Sequence, residues 1–143
     1  MIKRDLLQRQ IEELGKTLSK VIADLYDLKT TGKFGAAVET ASQMLSGQLD
    51  VDIGKLLGLK PENFLNKLKS NKGFSHENLE KLGDILLFFA EEGSVYDKEK
   101  LYDKCLTIYE FLEQDEKIYS FERRAKIAGI KKRYNDFLKR KNL

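Results

Sequence analysis

The sequence has one histidine, His76, and one cysteine, Cys105, the residue types most used for a Cys–His nucleophile pair or a zinc site. A structural zinc site needs several nitrogen or sulfur ligands, and a Cys–His pair needs a third group to orient the base. His76 stands in Ser75-His76-Glu77 at a helix start, where the positive end of the helix dipole disfavours an imidazolium. It reads as a capping-turn residue. Cys105 falls on an apolar helix face and reads as a small core residue. The carboxylate pairs Glu12-Glu13, Glu91-Glu92 and Asp115-Glu116 are neighbours in the chain. On a helix such neighbours point about 100° apart, so they are not expected to share a site. No twelve-residue calcium loop is present, and Gly32-Lys33-Phe34-Gly35 lacks the preceding strand of a phosphate loop. These residues nominate no catalytic, metal or cofactor site, and the expectation is a protein that is not an enzyme.

The remaining chemistry is charge. From Ser120 to Leu143 nine Lys or Arg stand against Glu122 and Asp136, a net +7 in a chain whose total is +3. The rest of the chain therefore carries −4. Lys131-Lys132-Arg133 and Lys139-Arg140-Lys141 recur at an eight-residue interval, with Tyr134 and Phe137 between them. With Arg124, the residues Lys131, Lys132, Arg133, Lys139 and Arg140 are the candidate contacts to phosphate or to a partner. The competing reading is a solvated face balanced by acidic neighbours, such as the Glu110–Glu116 segment.

The elements that must carry these residues are helices. In the first, roughly Ile2 to Leu28, the residues Leu7, Ile11, Leu14, Leu18, Val21, Leu25 and Leu28 alternate at four and three. That spacing makes one stripe, and Ile22 widens it enough to face a core. Gly15 sits mid-helix, where it costs about 1 kcal/mol against Ala, and close approach of another helix would offset this. A loop at Lys29-Thr30-Thr31-Gly32 follows. Phe34, Ala37, Val38, Ala41, Met44 and Leu45 form the return helix, expected to end at Gly47. Asp50 is the expected cap of a short helix Val51–Leu57, and Pro61 opens another with Phe64, Leu65 and Leu68 inside. Ser75 caps a long helix on Leu79, Leu82, Leu86 and Phe89. The run Leu86–Phe89 marks it as the most buried. Asp97 caps the next, with Leu101, Cys105, Ile108, Tyr109 and Leu112. The last helix starts near Ile118 or Phe121 and runs to Leu138, with Ile118, Phe121, Ala125, Ala128, Tyr134, Phe137 and Leu138 as its expected inner side. No segment alternates as a strand would.

The chain repeats itself. A shift of 68 positions lays Ile11-Glu12-x-Leu14-Gly15-x-x-Leu18 on Leu79-Glu80-x-Leu82-Gly83-x-x-Leu86, and with no gap lays Ala37, Ala41 and Met44 on Cys105, Tyr109 and Leu112. A Leu-Gly pair, a large apolar residue three positions on, then a small residue and an aromatic on the return helix resemble the tetratricopeptide repeat (TPR). The opening from Met1-Ile2-Lys3-Arg4-Asp5 to Gln10-Ile11-Glu12-Glu13-Leu14 also resembles bacterial helical proteins of unknown function. The resemblance implies an all-α, TPR-like right-handed stack that binds a peptide or partner protein and lacks catalysis. The hairpins are longer than the standard repeat and no proline ends them, so the family's binding positions are not carried over.

Together these readings give one all-α domain over 1–143: a first hairpin at 1–47, short connector helices at 50–72, a second hairpin at 75–115 and a basic helix at 118–142. At 143 residues, 41% hydrophobic and 34% charged, the chain can bury one core, about two-thirds of its unfolded surface. It has no apolar run of membrane-spanning length, no apolar secretory stretch after Asp5 and no second cysteine for a disulfide. A bacterial cytoplasmic protein is expected, with an unknown protein or peptide as its partner. Self-association as a homodimer through the first or last helix is a further expectation. Nucleic acid bound by the basic helix is the alternative.

Overall fold

A computed structural model describes residues 2–49, 52–116 and 120–142. The described residues form seven helices and no strand: α1 (Ile2–Thr30), α2 (Phe34–Leu49), α3 (Ile53–Leu57), α4 (Pro61–Lys69), α5 (His76–Glu92), α6 (Lys98–Asp115) and α7 (Phe121–Lys141). The all-α class expected from periodicity is the observed one.

The caps explain most of the boundaries. Ser75 Oγ accepts from Asn78 N, Asp97 Oδ1 from Lys100 N and Ser120 Oγ from Arg123 N, so three long helices begin where a short polar side chain meets an orphan N–H. The α1–α2 turn is made by Gly32 at φ 75° and the end of α5 by Gly93 at φ 101°, both conformations that favour glycine. Two expected boundaries are displaced. Gly47 does not stop α2, which continues to Leu49, because Leu49 still reaches the core. The cap of α3 is Asp52, whose Oδ1 accepts from Lys55 N, while the expected cap Asp50 and first residue Val51 lie outside the described residues.

α1 packs on α2 and on α5, α5 on α6, and α6 on α7, while α3 and α4 pack beneath α6. The two hairpins α1–α2 and α5–α6 are therefore joined through their first helices. One continuous cluster runs from Leu14 on α1 to Ile130 on α7. It is built on the stripes read from sequence: Leu14, Leu18, Val21 and Leu25 of α1, Leu79, Leu82, Leu86 and Phe89 of α5, and Leu101, Cys105, Ile108, Tyr109 and Leu112 of α6 are all buried. Each fully buried Leu is worth about 2 kcal/mol of transfer free energy. α5 carries eight buried residues along 17, the densest burial of any long helix, because it is enclosed by α1 and α6. Within its apolar run Leu87 and Phe88 stay only partly buried.

Two stripes end differently from expectation. The start of α1 runs past the core, leaving Leu6 53% and Leu7 40% exposed. On α7 the inner face is Arg123, Ile127, Ile130, Tyr134 and Phe137, again at alternating four and three. Of the expected inner residues, Phe121 is 78% exposed and Ala125 and Ala128 are exposed, whereas Tyr134, Phe137 and Leu138 are partly buried. Ile118 lies outside the described residues. The reason is one charged side chain. Arg123 occupies an inward position that an apolar count skips, and α7 is rotated accordingly.

Candidate binding surface

Gly15 and Gly83, the matched glycines of the internal repeat, both sit at close approaches. A Cβ on Gly15 would stand 3.1 Å from Asn78 Oδ1, and a Cβ on Gly83 would stand 2.8 Å from the Tyr109 ring. Asn78 is 2% exposed and donates through Nδ2 to Ile11 O (2.9 Å) and Gly73 O (2.8 Å). It pins α5 to α1 and to the turn before α5. Tyr109 lies over Gly83 and donates to Asp84 Oδ1 at 2.5 Å, the short length of a charge-assisted bond. Burial, then the Asp84 carboxylate, hold its hydroxyl far above the ordinary phenol range. Cys105 Sγ contacts Gly83 O at 3.6 Å, and burial raises its thiol well above the usual range.

Around this joint α7 is held by ions. Arg123 is 5% exposed. Its Nε donates to Glu80 Oε1 (2.9 Å), Nη1 to Glu113 Oε1 (3.2 Å) and Nη2 to Glu116 Oε2 (3.3 Å). Burial acts to lower the proton affinity of this guanidinium, but the hydrogen bond and charge of Glu80 with the charge of Glu116 outweigh it, and the net direction is upward. Lys126 reaches Asp84 at 3.0 Å and stands 4.0 Å from Glu80 Oε2, a buried oxygen with no hydrogen bond among the described residues. His76 bonds Asp115 at 2.7 Å and approaches Glu116 at 3.7 Å. Asp115 and Glu116 thus converge on one side chain, contrary to the expectation for adjacent helical carboxylates. Glu116 is the extended C-cap of α6, so the 100° rule does not govern it. Glu91 and Glu92 do diverge, to Arg133 (3.1 Å) and Lys29 (2.6 Å).

The six candidate cations divide into two sets. Arg124 pairs with Glu113 (3.2 Å), Lys131 with Glu110 (3.8 Å) and Arg133 with Glu91 (3.1 Å). Lys132, Lys139 and Arg140 are exposed and have no carboxylate within ion-pair distance among the described residues. Half of the candidate positions are therefore balanced by the body of the molecule. Lys132 and Lys139, seven apart, share the outer face of α7.

Between α1 and α7, with α5 as its floor, runs a valley of about 330 Å³. Leu25 and Ile85 close its base, both almost fully buried. Tyr26 is 57% exposed and meets Phe88 edge-on at 5.0 Å between ring centroids. The rims are the ion pairs Lys29–Glu92 and Lys126–Asp84. An apolar floor, an aromatic pair and charged rims suit an amphipathic segment, with the exposed Tyr26 as the anchor and the Lys29 ammonium 5.8 Å from the centre of the Phe88 ring. Sequence reasoning did not nominate Tyr26, Phe88 or Lys126. Tyr26 lies on α1 beside the stripe residue Leu25, and an exposed aromatic next to a core stripe is the signal that was there to read. Among the described residues no His, Cys, Asp and Glu group has metal-site geometry and no helix is long and apolar enough to cross a membrane. No family model, curated protein or solved structure matches the chain.

Proposed function

We propose that the chain is a non-catalytic protein–protein interaction module, a TPR-like helical array whose α1–α5–α7 valley receives an amphipathic segment of a partner protein. The observation that carries this reading is the Tyr26–Phe88 pair, held partly in solvent above a closed apolar floor. Two hairpins joined through their first helices, with the matched glycines at both close approaches, support the repeat-like arrangement. A cytoplasmic, bacterial setting is part of the proposal. It rests on the lone buried cysteine and on the resemblance of the opening segment.

The second reading, a nucleic-acid-associated protein, is favoured by one observation: Lys132, Lys139 and Arg140 face solvent with no carboxylate partner among the described residues. One experiment separates the two. The tagged chain is used to capture partners from lysate of its source organism, with and without nuclease, beside Tyr26→Asp and a Lys132→Glu/Lys139→Glu/Arg140→Glu variant. A protein that survives nuclease and is lost with Tyr26→Asp is the expected result. A protein retained equally by Tyr26→Asp overturns the valley as its site. Nucleic acid that is lost with the triple reversal overturns the first reading in favour of the second.

A further inference from the structure

A second concavity lies on the opposite side of α5's C-terminus, between the outer face of α2 and the loop that joins α5 to α6. It encloses about 870 Å³. Its α2 wall is Val38, Ser42 and Ser46, and its far wall is Val95 and Tyr96. Val95 is 92% exposed, an apolar side chain held almost wholly in water at the lip. Three carboxylates line the groove, Glu39, Asp52 and Glu92, and no cation does. Glu92 is paired with Lys29 and Asp52 caps α3, but Glu39 has no cation partner among the described residues. The groove is thus negative at its edge, with Val95 and Tyr96 as its apolar wall and Ser42, Gln43, Ser46 and Ser94 as polar lining.

The matching surface is on the same chain. The last turns of α7 present Leu138, partly buried, followed by Lys139 and Arg140, which lack carboxylate partners among the described residues. A leucine followed by two unpaired cations complements a concavity with Val95 and Tyr96 on one wall and Glu39 at its edge. The two surfaces also lie at one end of the molecule. Lys141 is bonded to Glu99 in the first turn of α6 (2.9 Å), and the groove's far wall is the loop that leads into that turn. A donor and an acceptor surface at the same end can both be satisfied by a single two-fold axis, which closes the assembly at two copies.

We propose that the chain forms a symmetric dimer in which Leu138, Lys139 and Arg140 of each copy dock into the Glu39-edged groove between α2 and the α5–α6 loop of the other. The groove is a separate concavity from the α1–α5–α7 valley, and Glu92 borders both. The test is sedimentation velocity of the full chain across a concentration series at low and high salt. The wild type is expected to dimerise, with a dissociation constant that rises at least about tenfold from 50 mM to 500 mM salt. Glu39→Lys alone, and Lys139→Glu with Arg140→Glu, are each expected to weaken the dimer by about tenfold or more, with unchanged helical circular dichroism. The chain carrying all three reversals is expected to dimerise more tightly than either partial variant, because an opposite-charge contact is restored at position 39 while Asp52 and Glu92 stay negative. A monomer at every concentration in low salt overturns the proposal. So does a dimer indifferent to these reversals, or a triple variant that dimerises no more tightly than the partial ones.

Discussion

The two hairpins share a spacing and differ in what fills it. In α1–α2 the return helix presents Ala37, Val38 and Ala41, and no side-chain hydrogen bond joins the two helices among the described residues. In α5–α6 the positions 68 further on are Cys105, Leu106 and Tyr109, and the pair is tied by Tyr109–Asp84 and Cys105–Gly83. The matched glycines record the difference. With Ala at position 41, Gly15 faces away from its own return helix and receives Asn78 of α5. With Tyr at position 109, Gly83 must make room for its own hairpin partner. A repeat in spacing is thus not a repeat in contacts: the first hairpin is closed by small apolar side chains, the second by aromatic bulk and buried polar bonds, with α7 latched on as a third layer.

The largest expected effect tests that latch. Arg123→Ala leaves Glu80, Glu113 and Glu116 facing one another, and urea unfolding should show a loss of about 3 kcal/mol. Gly83→Ala should cost about 2 kcal/mol in the same measurement, since a 2.8 Å approach to a ring fixed by Asp84 exceeds the helix-propensity gain. Gly15→Ala, the matched change in the first hairpin, should fall within about 1 kcal/mol of zero, because Asn78 has only tenths of an ångström to yield. Equal costs at the two glycines would erase the contrast.

Alkali should act through the second hairpin too. The Cys105 thiol and the Tyr109 hydroxyl hold their protons more tightly folded than unfolded, both by burial first. Their contribution is whole below the unfolded pKa values, about 8.5 for Cys and 10 for Tyr, and falls as pH rises beyond them. The melting temperature should therefore decline above about pH 9 and more steeply above about pH 10, and Tyr109→Phe should flatten the steeper part. The smallest effect is expected at the rim of α7: Lys131→Ala breaks an exposed 3.8 Å pair and should shift stability by less than about 0.5 kcal/mol.

Legibility in sequence followed the same division. Stripes of purely apolar residues on α1, α5 and α6 declared themselves, as did the caps Ser75 and Asp97. α7 did not, because Arg123 stands where an apolar residue would complete its stripe, and its partner Glu80 is 43 positions away. The cap of α3 was misplaced by two residues, since Asp50 and Asp52 are chemically the same and only the backbone chooses. The basic run was visible as charge, but which of its members are balanced depended on carboxylates of α5 and α6 brought near only by folding. The valley was hidden for the same reason: Tyr26 and Phe88 are 62 positions apart and meet only when the hairpins pack.

Asn78 has a consequence for motion. Sliding α1 along α5 by one residue, about 1.5 Å, would carry the Ile11 carbonyl out of reach of the Asn78 amide and bring a side chain where Gly15 now lets that amide lie. The two hairpins thus have a single allowed setting at this crossing, with no neighbouring notch to click into. A valley whose walls belong to α1 and α5 inherits that fixed gauge, so its occupant must match a width set in advance.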